Sequence, residues 1–344
     1  MMSLRRTVAD LYPGYFALVM ATGVISVASY QLGFHWLGWI LFGINLVAFG
    51  ILCLQTIARS IAFHPRLLAD LLDYRRGPGF FTTVAATCVV GIQVMILTKN
   101  LLVPAILWAV ATVLWVVLIY TFFAAITVRE NKPTLAQGIS GAWLNTVVST
   151  QAVSILGTMV ASRFHVVGTN VLFFSLSMFL LGCMLYILII ALILYRFLFF
   201  SLTAPEFTPA YWIDMGAEAI TALAGATLIL AAPRLPLLEQ ILPFLKGFTL
   251  FFWVTGSWWI PLLLILTIWR YLWKGYPVSY EPRSWAMIFP LGMYPACTLE
   301  LIKAMDLNLL SWIPRFFIYV ALLAWLVTFA AMVRELIRKK HWIR

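Results

Sequence analysis

The sequence predicts an all-α integral membrane protein of ten spanning helices. Three observations carry the prediction. First, 63% of the 344 residues are apolar and 10% are charged, against about 25% charged in an ordinary soluble domain. A water-soluble globule of this composition would lack the polar surface to cover its core, and disorder needs the opposite balance of charge and hydrophobicity. Second, the apolar residues fall in runs of about the 20 residues that cross a bilayer, without the period-two alternation of a membrane β-barrel. Third, the charges collect in the breaks between those runs.

Ten helices are expected near 12–32, 36–58, 80–98, 101–128, 142–162, 170–200, 211–231, 241–273, 285–305 and 313–337, forming one domain over 1–344. Several exceed one bilayer crossing, which predicts tilt or extension beyond the membrane. Breaks such as Gly33–His35 and Lys99–Asn100 are too short for anything but a tight turn, so five consecutive hairpins follow. The opening MMSLRRTVADLYPGYF runs straight into apolar sequence without a small-residue cleavage motif, so the first helix is expected to stay.

The net charge of +11 is a matter of topology. Arg5, Arg6, Arg59, Arg66, Arg75, Arg76, Arg129, Lys132, Arg196, Arg270, Lys274, Arg283, Arg334, Arg338, Lys339, Lys340 and Arg344 lie on the side of both termini. These are seventeen of the 23 cations, and Lys99, Arg163, Arg234, Lys246, Lys303 and Arg315 lie opposite. The positive-inside rule then places both termini in the cytoplasm of an inner (plasma) membrane protein. Nucleic acid is not an expected partner; lipid is.

The odd-numbered helices share a beginning: YFALVMATGVIS, FFTTVAATCVVG, WLNTVVSTQAVS, YWIDMGAEAITA and WAMIFPLGMYPA. Aromatic residues Phe16, Phe81, Trp143, Trp212 and Trp285 lead, and six positions later stand Thr22, Thr87, Ser149, Glu218 and Leu291. These helices are rich in Gly, Ala, Ser and Thr, whereas the even helices are bulky Leu, Ile, Phe and Trp runs. Small and hydroxylated residues serve where helices approach closely or line an aqueous path, and bulky ones suit lipid. An inner ring of odd helices inside an outer ring, with five-fold pseudo-symmetry about a central pore, is the reading, and Thr22, Thr87 and Ser149 would line it.

Three acids fall within the expected spans. Asp214 and Glu218, four residues apart on one helical face, tend to share a proton and are candidates for proton coupling or protonation gating. Glu300 reads as an i,i+3 partner of Lys303. Pro290 and Pro295 predict a kink in the ninth helix beside Phe289, an aromatic ring able to plug a narrow channel. Cys53, Cys88, Cys183 and Cys297 are scattered singly, and His35, His64, His165 and His341 lie in loops or at the tail, so no metal, haem or other cofactor is expected. GxxxxGK[ST], GxSxG and HExxH do not occur, which argues against ATP-driven transport by this chain and against an enzyme. The segment Arg59–Gly79, with HPR and DLLDYRR, reads as a solvated connecting loop.

PGYFALVMATGVIS (13–26), FHPRLLADLLDYRRGPGFFTT (63–83), YWIDMGAEAITALAG (211–225), GSWWIPLLLILTIWRY (256–271) and WAMIFPLGMYPACT (285–298) together resemble the tellurite-resistance/dicarboxylate transporter family. That family includes plant guard-cell slow anion channels, a fungal malate permease and a fungal sulfite efflux pump. The resemblance implies ten helices around a pore, a homotrimer with one pore per subunit, and small-anion transport. It also implies a gate: the phenylalanine that occludes the pore precedes a proline, and Phe289-Pro290 matches. Asp214 and Glu218 depart from an anion path, because bare carboxylates repel anions. The expected function is therefore a proton-coupled C4-dicarboxylate permease of the malate type. A passive chloride or nitrate channel, a sulfite- or tellurite-related exporter, and a non-transporting membrane scaffold are the alternatives.

Overall fold

The computed structural model describes residues 8–161 and 168–341. Arg5, Arg6, Arg163, His165, Arg344 and residue 162 of the fifth expected helix lie outside the described residues, as do the side chains of Lys339, Lys340 and His341. Among the described residues ten helical spans, counted with the short 3-10 and π turns at their ends, are long and apolar enough to cross a membrane. Their α-helical parts are α1 (Ala17–Gln31), α2 (His35–Ala62), α3 (Phe81–Gln93), α4 (Leu102–Val128), α5 (Asn145–Ala161), α6 (Gly168–Phe199), α7 (Ile213–Ala231), α8 (Leu242–Ile268), α9 (Trp285–Met305) and α10 (Trp312–His341).

Local chemistry sets their ends. Gly33, at φ +95°, makes the tight turn between α1 and α2 that a side chain would resist. A π-helical turn, Val94–Thr98, extends α3, and Lys99 then closes it in the left-handed conformation. Asp306 closes α9 in the same way. Pro290 and Pro295 both lie inside α9, which continues through them as one helix. Neither proline supplies an N–H, so the carbonyls of Ala286 and Leu291 lose their usual donors.

Burial separates two sets. The spans containing α1, α3, α5, α7 and α9 bury 89, 83, 94, 83 and 72% of their central windows, and those containing α2, α4, α6, α8 and α10 bury 28, 22, 44, 22 and 28%. Each inner helix packs on the outer helix that follows it. The inner helices also pack on one another in order, α1 on α3, α3 on α5, α5 on α7, α7 on α9 and α9 back on α1, closing a ring.

A second ring lies where the inner helices begin. Each is preceded by a 3-10 turn: Pro13–Phe16, Gly77–Phe80, Gly141–Leu144, Pro209–Trp212 and Pro282–Ser284. Proline or glycine opens every turn, and proline's fixed φ and missing donor suit a first helical position. Each turn touches the next and the last touches the first. Close approach here depends on glycine: a Cβ on Gly141 would sit 2.4 Å from the carbonyl oxygen of Ala210, and one on Gly79 2.8 Å from the backbone nitrogen of Gly14.

Arginines at the ends of four outer helices hold these turns. Arg59 donates from Nε to the Ala9 carbonyl at 3.2 Å, Arg129 to Leu72 at 3.3 Å, Arg196 to Ala136 at 3.0 Å, and Arg270 to Phe207. Each accepting carbonyl precedes the turn of the inner helix just before that outer helix. The segment Arg59–Gly79 is accordingly more than a solvated loop. It contains a helix, His64–Leu71, and Asp70 bridges buried Arg59 at 2.6 Å and Arg76 at 2.8 Å.

Candidate functional site: an interrupted axis through the inner ring

Two cavities lie at opposite ends of the inner ring, and residues of all five inner spans line both. At the end where the turns lie, a void of about 10 Å³ is bounded by Tyr12, Asn145, Ile213, Arg283 and Phe289 among others. At the far end a cavity of about 380 Å³ is bounded by Gln31, Ile92, Thr158, Arg234 and Glu300 among others. The lining residues reveal the inward faces. They include Ala17, Met20, Val27 and Gln31 on the first span, Ile213, Leu223, Thr227 and Leu230 on the seventh, and Ala286, Phe289, Ala296 and Glu300 on the ninth. Filling these registers at 3.6 residues per turn puts Val24, Ile220 and Met293 on the same faces between the cavities. That middle layer is apolar, and all three residues are buried.

Phe289 is 1% exposed and forms part of the boundary of the turn-end void, at the start of the apolar layer. Pro290 beside it touches α7: a Cβ on Gly216 would lie 2.6 Å from its Cγ. At the turn-end mouth the guanidinium of Arg283 stands 5.6 Å from the centre of the Tyr12 ring. Burial raises the Tyr12 hydroxyl above its ordinary pKa of 10.0, with Arg283 opposing the shift. Residues at the starts of all five inner spans line this void, and the positive ends of the five helix dipoles there favour an anion.

The shared polar register of the inner helices has other partners. Thr22, Thr87, Ser149, Asp214 and Glu218 border neither axial cavity. The Thr22 hydroxyl accepts a hydrogen bond at 2.9 Å from the indole of Trp325 on α10. Thr87 donates to the carbonyl of Thr83 at 2.8 Å, and Ser149 to that of Thr146 at 2.9 Å. The Thr22 contact belongs to a series in which each outer helix offers at least one polar group to the next inner helix. Asn45 donates to Gln93 at 2.6 Å, Trp115 to Thr150 at 2.8 Å, Tyr186 to the Asp214 carbonyl at 3.3 Å and Trp253 to Thr298 at 2.9 Å. An indole or amide N–H shielded from water needs such an acceptor.

Asp214 and Glu218 are 0% and 1% exposed. Both lie on the side of α7 that faces α6 and α8. A Cβ on Gly256 of α8 would stand 3.2 Å from Glu218 Oε2. Among the described residues neither carboxylate oxygen of Asp214 has a hydrogen-bond partner, nor does Oε2 of Glu218. Glu300, at the far-end cavity, pairs with Lys303 at 2.7 Å as its spacing predicts and also accepts from Gln31 at 2.9 Å.

Reading residues one at a time misses two features. One is the inward register itself, which is apolar and hence silent in a search for chemistry. The other is the far-end chamber with Gln31 and Arg234, assembled from helix ends distant in sequence. The arginine clips had a signal: Arg59, Arg129, Arg196 and Arg270 each sit at the close of an even-numbered run. Among the described residues no cluster of His, Cys, Asp and Glu suits a metal ion.

Comparison with known proteins gives this architecture a family. Two uncharacterized transporters of Methanocaldococcus jannaschii are each 23% identical to the chain. One aligns over 323 residues, 91% of this chain and 91% of its own; the other over 331 residues, 93% and 92%. An uncharacterized membrane protein of Mycobacterium tuberculosis (strain H37Rv) is 37% identical over 152 residues, 44% of this chain and 77% of its own. The SLAC1 model, described as voltage-dependent anion channel, matches residues 10–333. With nearly its whole length matched, the chain belongs to the SLAC1 family of voltage-dependent anion channels.

Proposed function

We propose that the chain conducts small monovalent anions such as chloride or nitrate along the axis of the five inner helices, and that Phe289 closes that path. One observation carries the reading: two cavities on a common axis, each bounded by all five inner spans, with Phe289 and an apolar layer between them. The five helix N-termini and Arg283 at the turn-end mouth favour anions over cations. The apolar layer offers no donors to replace water, and the cost of stripping water grows steeply with charge, which favours a monovalent ion over a dianion. Asp214 and Glu218 border neither cavity, so they present no barrier of like charge on the axis.

The proton-coupled C4-dicarboxylate permease is the second reading. It is favoured by the far-end chamber, whose 380 Å³ falls in the usual range for small-molecule sites and which contains Gln31 and Arg234. Export of sulfite or tellurite-related anions belongs to the same scheme. The proposal includes five-fold pseudo-symmetry, a homotrimer with one path per subunit, and cytoplasmic termini in the plasma membrane, supported by seventeen of 23 cations on the terminal side.

The test is a flux screen with purified protein in liposomes, over chloride, nitrate, sulfite, malate and succinate at two pH values. Chloride or nitrate flux without proton movement supports the channel. Malate flux that carries protons replaces it with the permease. No flux of any anion, in wild type and in Phe289→Ala, overturns transport and leaves a membrane scaffold.

A further inference from the structure

We infer that Asp214 and Glu218 form a proton-binding site beside the conduction path, and that loss of its proton releases the closure made by Phe289. The inference rests on the proposed anion path but concerns a different set of atoms. The two carboxyl groups are one helical turn apart on α7, and three of their four oxygens have no hydrogen-bond partner among the described residues.

What faces them is neutral. From α6 comes Tyr186, whose hydroxyl donates to the Asp214 carbonyl at 3.3 Å. From α8 come Thr255, Gly256 and Trp259. From the preceding turn comes Tyr211, whose hydroxyl is already held by Arg196, and Arg196 in turn reaches Glu206 at 3.7 Å. The span of α5 and its turn, Gly141–Ala161, holds no titratable side chain. On α9 the hydroxyl of Tyr294 is bound to Ser257 at 2.7 Å, and Cys297, Glu300 and Lys303 lie further toward the far end. Arg234 and Glu239 lie beyond the far end of α7. Among the described residues no cation stands opposite the pair. Two carboxylates buried in a membrane protein, with no counter-ion among the described residues and with only the Tyr186 and Thr255 hydroxyls to serve Glu218, are costly, so the arrangement suits carboxyl groups that hold a proton.

The link to closure is direct contact. Gly216 lies midway between the two acids, and its backbone touches Pro290, the neighbour of Phe289. Losing a proton places an uncompensated charge on the back of α7, and the helix relieves it by moving toward water. That motion acts on Pro290 at once. Closure at low pH and opening as pH rises follow.

Two measurements test this. Infrared difference spectra of the protein in liposomes should show a protonated-carboxyl band that titrates in wild type and is missing in Asp214→Asn/Glu218→Gln. Chloride flux should rise at least tenfold between about pH 5.5 and pH 8 in wild type, stay at its low-pH level in the double variant, and lose its pH dependence in Phe289→Ala. A wild type with no titrating carboxyl band overturns the site. A titrating band with flux independent of pH overturns the link to closure. A titrating band in a protein that passes no anion even as Phe289→Ala overturns the path and the link together, while the proton site stands. Glu218→Asp, which retains the acid, should keep both the band and the pH dependence; it stands in as the test if the double variant fails to fold.

Discussion

Replacing Phe289 with alanine removes a ring that is 1% exposed at the boundary of a 10 Å³ void. Deleting a buried phenylalanine side chain costs about 3–5 kcal/mol where the site cannot collapse, and the cavity part grows by about 24 cal/mol per Å³. If about 2.5 kcal/mol is cavity cost, the added space is on the order of 100 Å³. That is room for about three waters at roughly 30 Å³ each. The turn-end mouth, with Arg283 and five helix N-termini, would then hold water down to the level of Met293. A lowering of the permeation barrier by only about 1.4 kcal/mol multiplies the rate tenfold. The expected result is chloride flux in liposomes at least tenfold above wild type, with Phe289→Leu between the two. The protein should still elute as a folded species in detergent, with a lower melting temperature. Folded Phe289→Ala with wild-type flux would refute the closure, and the axis would have to be blocked by the layer of Val24, Ile220 and Met293 instead.

Thr22→Val strands the buried indole N–H of Trp325, which should cost about 1–3 kcal/mol of stability and leave flux per folded molecule unchanged; a large change in flux would put Thr22 on the path. Gly141→Ala drives a Cβ to 2.4 Å from a backbone carbonyl, so a loss of about 1–3 kcal/mol from overpacking should appear as a lower melting temperature, whereas Gly247→Ala, with open space around it, should leave the melting temperature nearly unchanged. Asp70→Asn leaves buried Arg59 without its charge partner; because Asp70 is partly exposed and Arg59 keeps the Ala9 carbonyl, the loss should fall below the ~3–5 kcal/mol of a fully buried pair, read by thermal denaturation in detergent. Glu206 lies outside the spans, and its carboxyl is held below the usual value of 4.5 by the Thr203 N–H and hydroxyl and then by Arg196. A folded pKa below the unfolded one gives stability that is present above the unfolded value and is lost as pH falls through the folded one. Glu206→Gln should therefore lower the melting temperature slightly at pH 7 and not at about pH 3.

The amino-acid sequence determined the membrane class, the ten spans and the division into small-residue and bulky helices. Each of these follows from composition and run length, which act locally: a run of apolar residues has no other stable home than lipid or a core. The Glu300–Lys303 pair was legible for the same reason, since helical spacing alone brings i and i+3 together. Tertiary structure alone decided which way the repeated polar residues point. A helix carries a repeat equally well on any face, and only contact with Trp325, Tyr186 and Gly256 turns Thr22, Asp214 and Glu218 toward the outer helices rather than the axis. The inward faces of the middle layer carry Val24, Ile220 and Met293, which the neighbouring inner helices bury between them.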